Sequence, residues 1–278
     1  MSKKITVAMT GSNGTLGKRF RKIYKNYKFK LISFDITNKS KVKNWIKKNN
    51  FDIFIHFAAI VPTSKVEANK NRALRVNYYG TKFIVDSLLK KQENFFFFYA
   101  STSHVYNFSK NKLRENSEIK PINFYAETKL KSEKYIQKNM KKIPFAIGRI
   151  FSFSDTSQSD LYFIPSVFKK FKQKKKFYSF HNLNKKRDFI STKDIVFAIN
   201  LICTKKEEGI FNIGSSKSYS LKNVVKLINK MFFNRKKIIF YDKKSNEDLI
   251  SNKTKIKKIG WLPKFDIKNI LIEYHEKK

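Results

Sequence analysis

The chain has 278 residues, of which 41% are hydrophobic, enough for one large domain or a domain with a smaller lobe. It carries 61 basic and 21 acidic residues, a formal net charge of +40. The single cysteine, Cys203, excludes an internal disulfide, and no apolar run reaches the ~18 residues that a membrane helix needs. The first apolar run ends at Met9, too early for a signal peptide, so we expect a cytoplasmic protein without a membrane partner.

The basic residues are spread along the whole chain rather than gathered in one arm. No zinc-finger, helix-turn-helix or RNA-binding signature accompanies them, so we expect no nucleic-acid partner. A coding bias toward Lys, Asn, Ile and Phe explains the composition, which includes 28 Phe but only 8 Gly and 5 Pro. The charge would still attract an anionic substrate.

Three glycines at a spacing of three follow the first strand-like run: Gly11, Gly14 and Gly17. Gly11 allows a tight turn, Gly14 lets the backbone approach a pyrophosphate, and Gly17 lets the next helix pack closely on the sheet. The start of that helix offers free N–H groups and the positive end of its dipole to phosphates. The position between a strand and a helix therefore predicts a dinucleotide-binding loop rather than an ordinary glycine-rich turn.

The chain then alternates between two patterns. Strand-like runs at about 4–9, 29–35, 52–57, 95–101 and 144–150 alternate with helix-like segments at about 15–26, 39–49, 65–91 and 123–140. This alternation predicts an α/β fold with a doubly wound parallel sheet covered on both faces. After Phe151 the pattern becomes irregular.

The helix-like segment at 123–140 carries Tyr125 and Lys129, four residues apart, so both side chains project from one face. An ammonium beside a phenol favours the ionised phenol, and we expect it to lower the pKa of Tyr125 toward neutral. The pair is then a candidate acid or base. The alternative is one packed ring and one solvated charge.

Seven ordered motifs extend this pattern. They are Thr-Gly-Ser-Asn-Gly-Thr-Leu-Gly at 10–17, His-Phe-Ala-Ala at 56–59, Arg-Val-Asn-Tyr-Tyr-Gly-Thr at 75–81, Ala-Ser-Thr-Ser-His-Val-Tyr at 100–106, Asn-Phe-Tyr-Ala-Glu-Thr-Lys at 123–129, Arg-Asp-Phe-Ile-Ser-Thr-Lys-Asp-Ile at 187–195 and Gly-Ile-Phe-Asn-Ile-Gly-Ser at 209–215. Together they resemble the extended short-chain dehydrogenase/reductase family, in its NAD-dependent epimerase/dehydratase branch. The resemblance implies a Rossmann domain at 1–150 plus about 187–208, and a substrate lobe at 151–186 plus about 209–278.

The resemblance also implies roles for individual residues. Tyr125 is the proton donor or acceptor at a sugar hydroxyl or ketone, Lys129 lowers its pKa and holds the nicotinamide ribose, and Thr102 bonds the same substrate oxygen. The implied cofactor-binding set is Gly11, Asn13, Gly14, Thr15, Leu16, Gly17, Asp35, Ile36, Phe57, Ala58, Ala59, Asn77, Lys129 and Phe151. The implied substrate-binding set is Ser103, His104, Ser152 and Arg187.

Departures from the family narrow the expected chemistry. The 4,6-dehydratases carry an Asp-Glu pair directly after the threonine, where this chain has Ser103 and His104. Epimerases that act at two carbons use a cysteine near this place, and the only cysteine is Cys203. What remains is redox at one sugar carbon, in a sugar-nucleotide epimerase or, as the alternative, a 4-keto-sugar reductase. A non-catalytic dinucleotide-binding protein is a third interpretation, which the intact catalytic residues oppose.

The choice of cofactor depends on Asp35. An acid about 20 residues beyond the glycine loop can bind the ribose hydroxyls and favours NAD. Asp35 could instead match the family's later Asp-x-Thr-Asp turn near the adenine, which would leave the ribose without an acid. Lys18 and Arg19 could then meet the 2′-phosphate of NADP. We favour NAD and do not exclude NADP.

Three further expectations concern the substrate and partners. Arg187 matches a family arginine that binds the diphosphate of a nucleotide-sugar, and an Arg187–Asp188 surface pair is the alternative. Relatives commonly dimerise through the helix of Tyr125 and the preceding long helix, so we expect a homodimer. Its apolar face would come from Ile84, Val85, Leu88 and Leu89, unless these face the sheet. We expect no metal, because His56, His181 and His275 lack the spacing of metal ligands.

Overall fold

The computed structural model describes residues 4–91, 94–173, 175–243 and 247–276. Within these ranges the strands are β1 (Thr6–Thr10), β2 (Lys28–Ile32), β3 (Ile53–His56), β4 (Phe96–Thr102), β5 (Phe145–Ile150), β6 (Ser152–Ser154), β7 (Tyr178–His181), β8 (Lys186–Arg187), β9 (Phe189–Ser191), β10 (Gly209–Ile213), β11 (Tyr219–Ser220) and β12 (Ile238–Tyr241). The α-helices are α1 (Thr15–Ile23), α2 (Lys39–Lys48), α3 (Thr63–Ala68), α4 (Lys70–Leu74), α5 (Thr81–Leu88), α6 (Phe124–Asn139), α7 (Phe163–Lys172), α8 (Thr192–Lys205), α9 (Leu221–Phe232), α10 (Thr254–Lys258) and α11 (Ile267–Glu276). No helix in these ranges is long and apolar enough to cross a membrane.

Six parallel strands form the central sheet, in the order β2-β1-β3-β4-β5-β10. The chain moves outward from β1 to β2 and then returns to β3 on the other side of β1. Helices cover both faces: α1 and α8 pack on one hydrophobic cluster, and α2, α5 and α6 pack on the other. The predicted α/β fold with a doubly wound parallel sheet is confirmed. Its switch point lies between the carboxyl ends of β1 and β3, where such sheets bind ligands.

Strand β4 shows why this sheet is buried on both sides. Its residues Phe96 and Phe98 belong to the cluster under α8, whereas Phe97 and Tyr99 belong to the cluster under α6. Successive side chains of a strand point to opposite faces, so a continuous aromatic run fills both layers.

One boundary differs from the expected one. We placed residues from about 209 in a substrate lobe, but β10 is the sixth strand of the central sheet. Phe211 and Ile213 are buried in the cluster that also holds α8, so apolar contact keeps this segment in the sheet. A separate hydrophobic cluster joins α7, α9 and α11 to β7 and β12. The rest of the proposed division into two parts stays a prediction.

The predicted long helix at 65–91 is divided into α3, α4, a π-helical segment at Arg75–Gly80, and α5. Ile84, Val85 and Leu88 on α5 are fully buried against the sheet, and only Leu89, at 40%, is exposed. Ile84, Val85 and Leu88 therefore face the sheet, as the alternative stated, and do not form an apolar dimer face. The homodimer stays a prediction without that support.

Candidate active site

The glycine loop follows β1 at the switch point. Gly11 has a φ of +66°, and a Cβ there would lie 2.6 Å from the backbone nitrogen of Ala58. A Cβ on Gly17 would lie 2.7 Å from the Cα of Ser12. The Ala58 amide also donates to Thr10 Oγ1 at 3.1 Å. The structure therefore brings the loop against the exit of β3, where Phe57, Ala58 and Ala59 follow one another.

The start of α1 is open to an anion. Gly14 is its N-cap, and no side chain caps the helix. Asn13 and Gly14 are exposed, and Thr15 and Leu16 are half-buried. The amides of a first helical turn lack partners within the helix and favour negative charge. The loop and helix start therefore fit the pyrophosphate of a dinucleotide.

Asp35 lies three residues beyond the end of β2 and is exposed. Its Oδ1 accepts a hydrogen bond from the Thr37 amide at 2.9 Å. That bond, followed by the nearby guanidinium groups of Arg72 and Arg75, lowers the pKa of Asp35. The Asp35 carboxylate is therefore exposed and ionised after β2. This is compatible with binding the ribose hydroxyls and also with a turn near the adenine.

Arg19 is not available for a 2′-phosphate. Its guanidinium binds the carboxylates of Asp155 and Glu273, and its side chain is only 10% exposed. Lys18, in contrast, is exposed. Arg19 therefore holds α1 to α11 and to the loop after β6.

Asn77 was expected at the cofactor, and the structure gives its amide other partners. Its oxygen accepts from the Ile60 amide at 2.8 Å, and its nitrogen donates to Ile60 O and Thr128 Oγ1, each at 3.1 Å. Both amide protons are used, so Asn77 ties the loop after β3 to α6. Ile36, also expected at the cofactor, is buried beside Gly80, where a Cβ would lie 2.7 Å from Ile36 Cδ1.

Helix α6 brings the predicted catalytic residues to the end of β4. Asn123 caps the helix, because its Oδ1 accepts from the Ala126 amide at 2.9 Å. Tyr125 lies in the first turn and Lys129 one turn later, with exposures of 8% and 2%. Thr102, the last residue of β4, lies close enough to Tyr125 to influence the pKa of its phenol. The structure thus brings Thr102 and Tyr125 together.

The protonation of this pair differs from the expected one. Burial, with a smaller contribution from the Tyr162 phenol, raises the pKa of Tyr125, and the nearby Thr102 hydroxyl only partly opposes it. Burial also lowers the pKa of Lys129 to about 7, against the charge of Glu133. The expectation that Lys129 brings the pKa of Tyr125 toward neutral is therefore wrong for this structure. Tyr125 is a neutral phenol here, because the low-dielectric surroundings disfavour both charges.

The buried ammonium of Lys129 lies on an aromatic ring. Its Nζ is 4.1 Å from the ring centroid of Tyr99. Tyr99 lies on β4, the strand that ends at Thr102. An ammonium over a ring face is attracted by the ring quadrupole, and more strongly when desolvated. Tyr99 therefore favours the charged form of Lys129 and fixes the position of its Nζ.

A buried ion pair joins β5 to α6, one helix turn after Lys129. Arg149 on β5 binds Glu133 on α6 at 2.8 Å, with side-chain exposures of 4% and 0%. Glu133 also accepts from Ser101, and the Arg149 guanidinium lies 4.7 Å from the ring centroid of Tyr106. This network joins α6, β4 and β5 directly beneath Thr102 and Lys129.

Two of the predicted substrate-binding residues, His104 and Arg187, lie near Tyr125 and near each other. His104 follows in a 3₁₀ turn at Ser103–Val105, and its ring is perpendicular to that of Tyr125 at 6.4 Å. Burial and the charge of Arg187 hold the pKa of His104 at about 4. Arg187 is therefore close to His104. Its guanidinium donates to the backbone oxygens of Lys186 and Glu247.

The alternative of an Arg187–Asp188 surface pair is wrong. Asp188 is fully buried, and it accepts hydrogen bonds from Ser215, Ser216 and Ser251. Arg187 instead keeps its guanidinium on the side of His104. Ser152 on β6 is half-buried and Phe151 is buried in a cluster with Tyr106. Ligand contacts for all of these residues stay predictions.

We expect the Tyr99 ring to stabilise the fold mainly while Lys129 is charged. Tyr99→Leu should be less stable than Tyr99→Phe, which keeps the ring, and the gap should be larger by about 1–2 kcal/mol at about pH 5 than at about pH 9. The reason is that the ring–ammonium attraction exists below the Lys129 pKa of about 7 and is lost as the pH rises through it. Chemical denaturation of both variants at the two pH values measures this, and a pH-independent gap would show that the ring only fills space.

Several of these residues carried no clear signal in the sequence. Tyr99, Glu133 and Arg149 act through contacts between elements far apart in the chain, and Tyr162 comes from the irregular region after β6. Asn123 is different, because an asparagine directly before a helical segment is a readable N-cap signal.

The chain is similar to known proteins in sequence and in fold. The model of the NAD dependent epimerase/dehydratase family matches residues 2–214. The chain is 24% identical to dTDP-4-dehydro-6-deoxyglucose reductase of Escherichia coli, with 94% of each chain covered. It is 29% identical to dTDP-D-glucose 4,6-dehydratase of Mus musculus, covering 86% of this chain and 70% of that protein.

Solved structures share the fold at low sequence identity. RMD from Pseudomonas aeruginosa, complexed with NADPH, superposes with a TM-score of 0.89 at 18% identity, covering 99% of this chain and 98% of that chain. UDP-glucose 4-epimerase of Thermotoga maritima, with UDP-glucose, gives a TM-score of 0.83 at 17% identity, with 98% and 99% covered. At such identities the likeness concerns the fold alone.

Proposed function

This chain belongs to the NAD dependent epimerase/dehydratase family, and on that premise we propose that it is a sugar-nucleotide epimerase that acts by hydride transfer at one sugar carbon. The observation that carries the proposal is the meeting of Thr102 and Tyr125 at the end of β4, with Lys129 one helix turn away. This group lies at the same sheet edge as the glycine loop, so a dinucleotide and a sugar can meet there.

Each residue has a chemical task in this proposal. NAD held at the glycine loop would supply the acceptor and then the donor of a hydride at the sugar carbon. Tyr125 exchanges a proton with the sugar oxygen, because its hydroxyl faces the site beside Thr102. Thr102 orients the same oxygen through its hydrogen bond. Lys129 supplies positive charge to a developing phenolate and holds the nicotinamide ribose.

Dehydration is disfavoured by the residues after Thr102. Ser103 and His104 stand where the dehydratases carry their acid and base, and His104 is a neutral imidazole because its pKa is about 4. A serine hydroxyl and a neutral imidazole do not replace a carboxylic acid and a carboxylate in removing water. The likeness to a 4,6-dehydratase therefore supports the family rather than that reaction.

A 4-keto-sugar-nucleotide reductase is the second candidate. The raised pKa of Tyr125 favours it, since a neutral phenol is ready to give a proton to a keto oxygen that receives a hydride. The full-length similarity to a reductase of E. coli points the same way.

One screen distinguishes these functions. Purified protein is incubated with UDP-glucose, UDP-N-acetylglucosamine and dTDP-4-dehydro-6-deoxyglucose, with NAD(H) or NADP(H), and products and nicotinamide absorbance are followed. An epimerase forms an epimer without net change of the nicotinamide, whereas a reductase consumes the reduced form with the keto sugar. Dinucleotide binding without turnover of any sugar nucleotide would favour the non-catalytic interpretation.

We predict that the protein prefers NAD and that Asp35 causes the preference. Asp35→Ala should narrow the ratio of NAD to NADP affinity roughly 10- to 100-fold, the range for losing one or two charge-assisted hydrogen bonds. Arg72 and Arg75, which lie beside this carboxylate, would then be free to bind a 2′-phosphate. Calorimetric titration with both dinucleotides measures the ratio, and Arg72→Ala in the Asp35→Ala background is the control. Stronger NADP binding by the unmodified protein would contradict the prediction.

A further inference from the structure

The orientation of the Asn123 amide determines which ring nitrogen of His104 is protonated. Asn123 Oδ1 accepts from the Ala126 amide as the helix cap, so its oxygen and nitrogen cannot be exchanged. Its Nδ2 then lies 3.3 Å from His104 Nδ1. An amide nitrogen only donates, so Nδ1 must accept, and a neutral imidazole carries its proton on Nε2.

The backbone of His104 is held equally firmly. Its amide donates to Thr102 Oγ1 at 3.2 Å, and its carbonyl accepts from the Ile122 amide at 3.1 Å. Among the residues that the structure describes, Tyr125 on α6 and Arg187 on β8 are the titratable or charged groups near the ring. Burial and the Arg187 guanidinium both disfavour an imidazolium, so the ring is neutral at physiological pH.

We propose that His104 is a neutral hydrogen-bond donor to an oxygen of the bound sugar, through Nε2–H, and that Asn123 positions it by fixing this tautomer. The proposal rests on the proposed function, since it deepens the same site. Asn123 contacts Nδ1 and His104 is half-buried, so Nε2–H would be the ring atom that meets a ligand. A donor suits an acceptor oxygen, such as a sugar hydroxyl or carbonyl.

The tautomer is tested without any activity measurement. Long-range proton–nitrogen NMR spectra of labelled protein resolve the ring nitrogens of four histidines, and His104→Gln identifies the signal of His104. At neutral pH we expect a protonated Nε2 and an unprotonated Nδ1. A proton on Nδ1, or an imidazolium, would overturn the proposal.

Two variants of Asn123 keep the helix cap and change only the partner of the ring. Asn123→Asp offers a carboxylate acceptor, so His104 should donate from Nδ1 and its pKa should rise. Asn123→Ser is too short to reach the ring and should leave a mixture of tautomers. If His104 stays protonated on Nε2 alone in both variants, Asn123 does not set the tautomer.

The sugar contact is tested with UDP-glucose as the probe. In the presence of NAD, saturating UDP-glucose should shift the Nε2–H signal of His104, and an unchanged signal would overturn the contact. With the substrate that the screen identifies, His104→Leu should lower kcat/KM roughly 10- to 100-fold, whereas His104→Gln, which keeps an N–H donor, should lose less. Equal activity of the two variants would contradict the donor role. Full activity of Tyr125→Phe would instead contradict the proposed function and leave the NMR result standing.

Discussion

Tyr125→Phe should reduce turnover by roughly two to four orders of magnitude, the range for losing a positioned general acid–base. The change removes one oxygen from a ring that is 8% exposed, so the fold and dinucleotide binding should be kept. Thr102→Ala should have a milder effect, because it removes an orienting hydrogen bond. Lys129→Ala should slow turnover and also weaken cofactor binding, because in the proposed function one ammonium serves both the phenol and the ribose.

A matched control lies on the same helix. Tyr135→Phe removes the phenol oxygen that bonds Asp86 and Lys82 on the outer side of α6. It should leave turnover unchanged, since Tyr135 lies in the second half of α6, away from Tyr125 in its first turn, and its hydroxyl contacts α5. Steady-state rates on the identified sugar nucleotide compare the two variants. Full activity of Tyr125→Phe would show that the catalytic assignment is wrong and would favour a dinucleotide-binding protein.

Arg149→Met should lower the free energy of unfolding by about 3–5 kcal/mol, the range for breaking a buried ion pair by removing one partner. Glu133, whose side chain is 0% exposed, would lose the guanidinium that neutralises it. The double variant Glu133→Leu with Arg149→Met should recover much of this loss, because no unpaired charge remains.

The exposed pair Lys70–Glu67 serves as the control. Its side chains are 55% and 44% exposed, so Lys70→Ala should cost less than about 1 kcal/mol. Urea denaturation of the four proteins measures the differences. A small effect of Arg149→Met, comparable to that of Lys70→Ala, would show that water reaches Glu133.

The fold could be predicted because local patterns and the sheet agree. Apolar runs such as Ile53–His56 can be buried on both faces only inside a parallel sheet. Gly11 marks a turn that has no room for a side chain, since a Cβ there would lie 2.6 Å from the backbone nitrogen of Ala58. The segment at 209–213 was placed wrongly because a five-residue strand carries no sign of the neighbour it pairs with.

The residues of the candidate site could be predicted from the sequence, but their protonation states could not. The spacing of Tyr125 and Lys129 places both on one face of a helix, but the pKa of each depends on burial by distant elements. Tyr162 and the strand residue Tyr99 both influence this pair, and neither contact follows from sequence spacing. The protonation states of Tyr125 and Lys129 therefore depend on the folded structure and not on their spacing in the sequence.

The most direct test of hydride transfer is to run the reaction on the identified sugar nucleotide in D2O. Because the hydrogen leaves the sugar carbon to the nicotinamide and returns from it, the product should carry no solvent deuterium at the reacting carbon. NMR and mass spectrometry of the product measure this. Deuterium at that carbon would mean that the bond to hydrogen is broken by proton abstraction, and it would contradict the proposed function.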